Sequence, residues 1–167
     1  LLAADRNRWL GTEGMSKETV QTDLKFMARR QAARQRLDDL TGAKGGAVDD
    51  RLNWFHTVYQ QAGGDAAAVP WADLAPKQSL LGWLESHPGK GQTAIDIGCG
   101  LGDNAEALAE TGYETTAFDL SPDAIAWAQQ RFPTSSVNYR PADLFDLPKA
   151  WLGTFDLVHE CYTIQAL

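Results

Sequence analysis

Apolar positions along the chain follow two different periods. Over residues 16–40 they recur at helical spacing in two stripes, Val20, Leu24 and Met27 on one side and Phe26, Ala33, Leu37 and Leu40 on another. Ser16 is available as N-cap and Gly42 lies just past the end. Between the stripes, Lys25, Arg29, Arg30, Arg34 and Arg36 form a basic face, read either as solvated surface or as a surface for an anionic partner. Residues 43–50 make a glycine-rich linker, helical spacing resumes over 51–61, and a short apolar helix over 78–85 ends at His87-Pro88-Gly89.

From Thr93 the period changes to short apolar runs alternating with helices. Strands are predicted over 93–97, 114–118, 137–140 and 155–159. Helices are predicted over 104–111, with Gly112 as its stop, and from Ser121-Pro122-Asp123 to residue 132; a further helix opens over 162–167. Strand and helix in alternation imply right-handed crossovers, hence an α/β, Rossmann-like parallel sheet with helices on both faces, preceded by an N-terminal helical segment. The expected division is an extension and linker over 1–50 and a domain over 51–167.

The 167 residues suffice for one core without a disulfide or metal staple, and two cysteines, Cys99 and Cys161, are too few for a secreted disulfide framework. A cytoplasmic setting is therefore expected. No run of about 18 apolar residues exists, which excludes a membrane span by sequence. The net charge of −7 argues against nucleic acid as partner, and its distribution sharpens the point. Residues 93–167 hold 11 acidic and 3 basic side chains.

Part of that acidity falls around one turn. In Ala94-Ile95-Asp96-Ile97-Gly98-Cys99-Gly100-Leu101-Gly102-Asp103-Asn104 a strand breaks into glycines and enters a helix, as a chain does when its backbone must approach a ligand. A dinucleotide fingerprint starting at Gly98 needs glycine at position 103, where this chain has Asp103, a negative charge in the place of a pyrophosphate. The observed G-x-G-x-G, with Asp96 two residues earlier, better suits a nucleoside without phosphates that carries positive charge, such as S-adenosylmethionine. Asp119 ends the second strand, where a carboxylate can accept both ribose hydroxyls, and Asp143 follows the third, in reach of an adenine amino group. Singly, such residues are also ordinary helix caps.

Taken together, AIDIGCGLG, AFDLS, ADLFDLP and FDLVHECYTIQAL resemble four motifs of the class I S-adenosylmethionine-dependent methyltransferases. The resemblance implies that Gly98, Cys99, Gly100 and Gly102 line the methionine and ribose part of the cofactor, that Asp96 lies by the methionyl moiety, and that Asp119 with Leu120 holds the ribose. Asp143 and Leu144 would meet the adenine. Upstream, Trp54, Tyr59 and Pro70-Trp71 are similar to the lid of thiopurine and tellurite-resistance type methyltransferases, which makes Trp71 a candidate cofactor contact and a small molecule the expected acceptor. Ordinary core packing is the competing reading for Trp71.

Glu160, at the end of the fourth strand, is the candidate catalytic residue, as a contact to the cofactor's amino group or a base for the acceptor; a helix N-terminal acid is the alternative. Cys161 follows Glu160 rather than proline, so it reads as a small hydrophobe and not a nucleophile. His56, His87 and His159 show no ligand spacing, and no metal is expected. The resembled fold has seven strands against four here, so the chain is expected to be a fragment. Two other readings stay open: an NAD(P)-dependent oxidoreductase of Rossmann type, and a non-catalytic binding or scaffold module whose basic helix recruits a partner.

Overall fold

The computed structural model describes residues 17–36 and 48–166. Two compact units share the chain, Leu1–Asp73 and Leu74–Leu167. The turn that follows the second helix packs against both the first helix and the second.

In the first unit, α1 (Lys17–Arg36) and α2 (Val48–Ala62) are followed by a 3₁₀ turn at Ala66–Ala68, N-capped by Asp65. Helix α2 starts inside the segment expected to be a linker. Ser16, Leu37, Leu40 and Gly42 lie outside the described residues. The expected stripe on α1 is inverted: Leu24 and Met27 are exposed, while Arg30 is buried at 6% exposure. The cause is polar. Arg30 pairs with Asp73 and donates from Nη1 to the Ala72 carbonyl at 2.9 Å. Arg34 Nε donates to the Pro70 carbonyl at 2.6 Å, and Arg29 pairs with Asp65. Three cations of the basic face therefore bond to their own unit. In the same unit, Trp71 stands among Trp54, Phe55 and Tyr59, with ring centroids 5.6 to 5.7 Å away, and its Nε1–H donates to Tyr59 Oη at 2.8 Å.

The second unit opens with α3 (Gln78–Ser86) and alternates thereafter: β1 (Thr93–Ile97), α4 (Asp103–Glu110), β2 (Glu114–Asp119), α5 (Pro122–Arg131), β3 (Asn138–Pro141) and β4 (Leu157–Glu160). The strands form one parallel sheet in the order β3-β2-β1-β4. One face carries Ala94, Ala117 and Tyr139 against apolar residues of α3, α4 and α5. On the other, Phe118 meets Trp151 of the 3₁₀ turn Lys149–Trp151, ring centroids 5.7 Å apart. Helical elements thus lie on both faces, as the alternation predicts. Ser121 caps α5 through its Oγ, which accepts from Ala124 N–H, with Pro122 in the first turn.

Departures from the predicted elements are local. Strand β4 begins two residues late, since the Asp156 carboxylate turns in to accept from the Thr93 N–H at 2.8 Å. In place of a helix from residue 162, Tyr162 takes a left-handed φ of 65° and a 3₁₀ turn follows at Ile164–Ala166.

Candidate functional site

Because all four strands are parallel, their carboxyl ends share one edge, and the register pairs Ile97 with Glu160, Ile97 with Phe118 and Asp119 with Pro141. The chain reverses its direction of travel between β1 and β4, the point at which open α/β sheets leave a crevice for ligands. The residues predicted for the site in this unit gather along that edge.

Gly98, Gly100 and Gly102 adopt φ of 64°, 53° and 91°, a left-handed run that side-chain-bearing residues avoid. Space is as tight as conformation. A Cβ on Gly98 would collide with Thr163 Oγ1, and one on Gly102, the N-cap of α4, with the Tyr139 hydroxyl. Tyr139 is fixed there by donating to Glu106 Oε1 at 2.7 Å. Cys99 N–H donates to the Phe118 carbonyl at 2.9 Å, which ties the turn to β2, and burial pushes its thiol well above the ordinary cysteine range.

Asp119 lies under this turn at 8% exposure. Its Oδ2 accepts from Gly100 N–H at 3.0 Å and its Oδ1 from Ser121 N–H at 2.9 Å, so one carboxylate fixes the glycine turn and the start of the α5 region together. Burial raises its pKa to about 6 against the pull of those two donors, and nearby Asp96 adds to the rise. Each oxygen keeps a second acceptor site for a ligand hydroxyl. The Ala142 N–H donates to the Asp119 carbonyl at 3.1 Å and brings the next loop to the same edge. In that loop Asp143 accepts from Phe145 N–H at 2.9 Å, and Leu120, Asp143 and Leu144 are all half-buried.

Asp96 is enclosed at 2% exposure on the helix-covered face. Its Oδ1 accepts from His159 Nδ1 at 2.6 Å, while its Oδ2 is buried with no hydrogen-bond partner. Burial raises its pKa and the histidine pulls it back. A buried acceptor without a partner costs on the order of 1–3 kcal/mol, so a polar ligand group that reached it would recover that free energy.

Glu160 ends β4 at this edge. Its Oε2 accepts from Thr163 N–H at 3.2 Å and Ile164 N–H at 3.1 Å, the capping arrangement. Thr163 Oγ1 in turn donates to the Ile97 carbonyl at 3.1 Å and closes the segment after β4 onto the end of β1. Asp103 differs from its expected part. Its carboxylate takes both guanidinium nitrogens of Arg131 at 2.7 and 2.8 Å, so its charge is answered within the unit. What disfavours a phosphate at this edge is Asp96, a buried carboxylate two residues before the glycine turn. Trp71 belongs to the first unit. His159 and Thr163 escape a reading of the sequence because only the β1–β4 register brings them here. Among the described residues no group of three or more His, Cys, Asp or Glu is placed to hold a metal ion, and no helix is long and apolar enough to cross a membrane.

A parallel sheet whose first strand breaks into a left-handed glycine turn, with a buried carboxylate at the end of the next strand, defines a Rossmann-like nucleoside-binding unit. Residues 94–167 match the family model described as Methyltransferase domain, and the class I S-adenosylmethionine-dependent methyltransferases are what this region is similar to. It is 32% identical over 103 residues to the cypemycin N-terminal methyltransferase of a Streptomyces species, covering 61% of this chain and 41% of that protein. It is also 32% identical over 92 residues to the ubiquinone biosynthesis O-methyltransferase of Pseudomonas paraeruginosa, covering 53% and 39%. The chain thus spans less than half the length of these relatives. A solved structure described as "Conversion of a Disulfide Bond into a Thioacetal Group during Echinomycin Biosynthesis" superposes with a TM-score of 0.57 at 30% identity, covering 66% of this chain and 46% of that one.

Proposed function

We propose that the chain is the cofactor-binding part of an S-adenosylmethionine-dependent methyltransferase whose acceptor is a small molecule. The observation that carries this reading is the partnerless, buried Oδ2 of Asp96 beside a turn that three left-handed glycines keep free of side chains. Such an edge suits a ligand that brings hydrogen-bond donors and positive charge and no phosphate. The cofactor would supply an electrophilic methyl group on a sulfonium. The chain's own work is to bind, orient and exclude water, which in a displacement with so good a leaving group supplies most of what is needed.

In this reading Asp119 accepts from the ribose hydroxyls, Asp96 faces the methionyl part, and Asp143 and Leu144 lie along the adenine. Cys99 and Leu120 complete the lining, and Trp71 stays a candidate cofactor contact on the resemblance alone. Glu160 is the candidate catalytic residue, with its Oε2 held as the cap of the turn that Thr163 anchors. The acidic balance supports a partner other than nucleic acid, and the low cysteine content supports a cytoplasmic setting.

Calorimetry with S-adenosylhomocysteine tests the reading. Wild type should bind, and Asp119→Ala should bind on the order of 10- to 100-fold more weakly, the loss expected when a charged acceptor is removed. Undiminished affinity in that variant, with its circular dichroism unchanged, would sink the ribose assignment.

A further inference from the structure

We infer that His159 is a positioning residue of the cofactor site, holding the Asp96 carboxylate so that its second oxygen is presented to the ligand. The inference rests on the reading above and adds a residue to it. His159 and Asp96 are direct partners in the parallel register of β4 and β1, so their side chains leave the sheet on the same face. The contact is short, Nδ1 to Oδ1 at 2.6 Å, with 15% of the histidine side chain and 2% of the aspartate side chain exposed.

A short hydrogen bond to one oxygen restrains rotation of a carboxylate and leaves the other oxygen available to a ligand. That other oxygen, Oδ2, is the atom with no partner. The platform beneath His159 is itself locked: Glu160, the next residue, caps the turn at Thr163 and Ile164, and Thr163 Oγ1 bonds the Ile97 carbonyl next to Asp96. The segment just beyond the histidine is thereby laced to the end of β1. A histidine retained only for packing would not need its Nδ1 on the one carboxylate of β1.

Substitution of the histidine tests this by calorimetric affinity for S-adenosylhomocysteine, with circular dichroism to confirm folding. An asparagine side chain carries its amide nitrogen as many bonds from the backbone as the histidine Nδ1, so His159→Asn keeps a donor at that position, whereas His159→Gln moves it and His159→Leu removes it. His159→Leu and His159→Gln should weaken binding about tenfold, the equivalent of one charge-assisted hydrogen bond, and His159→Asn should stay within about threefold of wild type. In an Asp96→Asn background His159→Leu should change affinity less than about twofold, because its effect passes through the aspartate. Wild-type affinity in both His159→Leu and His159→Gln overturns the inference, as does an equal loss from His159→Leu with and without Asp96→Asn. Should His159→Leu fail to fold, His159→Asn and His159→Gln decide alone, and equal weakness in both overturns it. Absence of binding by the wild type would instead sink the cofactor reading itself, and this inference with it.

Discussion

The two units use buried charge in opposite ways. In the first, charge answers charge: Arg30 is buried against Asp73 and a backbone carbonyl, and Arg34 and Arg29 find their own acceptors. In the second, the carboxylates at the sheet edge are held by other means. Asp119 is fixed by two backbone N–H groups, and Asp96 by one histidine with an oxygen left over. A closed set of ion pairs fixes helices. An edge with surplus acceptors, raised pKa values and a backbone free of side chains is built for something else to complete it.

The largest effect should come from closing that edge. Gly102→Ala imposes a side chain on a φ of 91° and drives it into the Tyr139 hydroxyl, which must then leave Glu106. We expect a loss of about 3 kcal/mol or more in urea unfolding and no detectable S-adenosylhomocysteine binding, since overpacking and a left-handed residue each cost on the order of 1–3 kcal/mol. A Gly102→Ala variant of near wild-type stability and affinity would remove the reason given for the glycine run. The next effect lies in the first unit. Arg30→Ala takes the guanidinium donor from the buried Ala72 carbonyl and leaves Asp73 with Arg34 Nη2 at 3.9 Å, and should lower stability by about 2 kcal/mol, the cost of an unsatisfied buried polar group. A loss under about 1 kcal/mol would show that the pair is not what buries Arg30.

How far the sequence foretells these two arrangements differs for a physical reason. The glycine run, Asp119 and the Ser121-Pro122 helix start are local signals, and the alternation of short apolar runs with helices suffices for the sheet class. The inward turn of Arg30 is illegible, because its partners, Ala72 and Asp73, lie 42 and 43 residues away and the stripe of Leu24 and Met27 points to the other face. His159 has no ligand spacing to betray it, since its partner is 63 residues distant and fixed only by strand register. Asp103 carries the right sign, but Arg131, which answers its charge, is 28 residues further along and invisible to a local pattern. Tertiary partners of polar groups are the consistent omission, since hydrophobic period reports which face is apolar and says nothing of which cation meets which carboxylate.

The contrast between edge and ion pairs also sets opposite pH behaviour within the edge itself. Asp119 titrates near 6 when folded and near 3.8 when unfolded, so between those values the folded state holds a proton that the unfolded state has lost. Its contribution to stability therefore grows as pH falls through 6 toward 4, and is lost as pH rises through the same window. A ligand that donates to the carboxylate favours the ionised form and should bind about tenfold more weakly at pH 5 than at pH 7.5, read by calorimetry. Asp119→Asn should flatten both slopes. Affinity that holds steady down to pH 5 would mean that the ligand does not use this carboxylate.

The smallest effect is the sharpest check on what burial does for a charge. Arg29 pairs with Asp65 as Arg30 pairs with Asp73, but its side chain is 62% exposed against 7% for Arg30. Water already solvates both ends of the Arg29 pair, salt screens it, and holding the two side chains together costs rotamer entropy. Arg29→Ala should thus lower stability by less than about 1 kcal/mol in the same urea titration, and the difference should shrink further in high salt. Asp65 loses little in the exchange, because its other oxygen still caps Ala67 N–H at 3.1 Å. If Arg29→Ala and Arg30→Ala proved equally damaging, burial would not be what separates structural charge from surface charge in this unit, and the same reasoning applied to Asp96 and Asp119 would lose its footing.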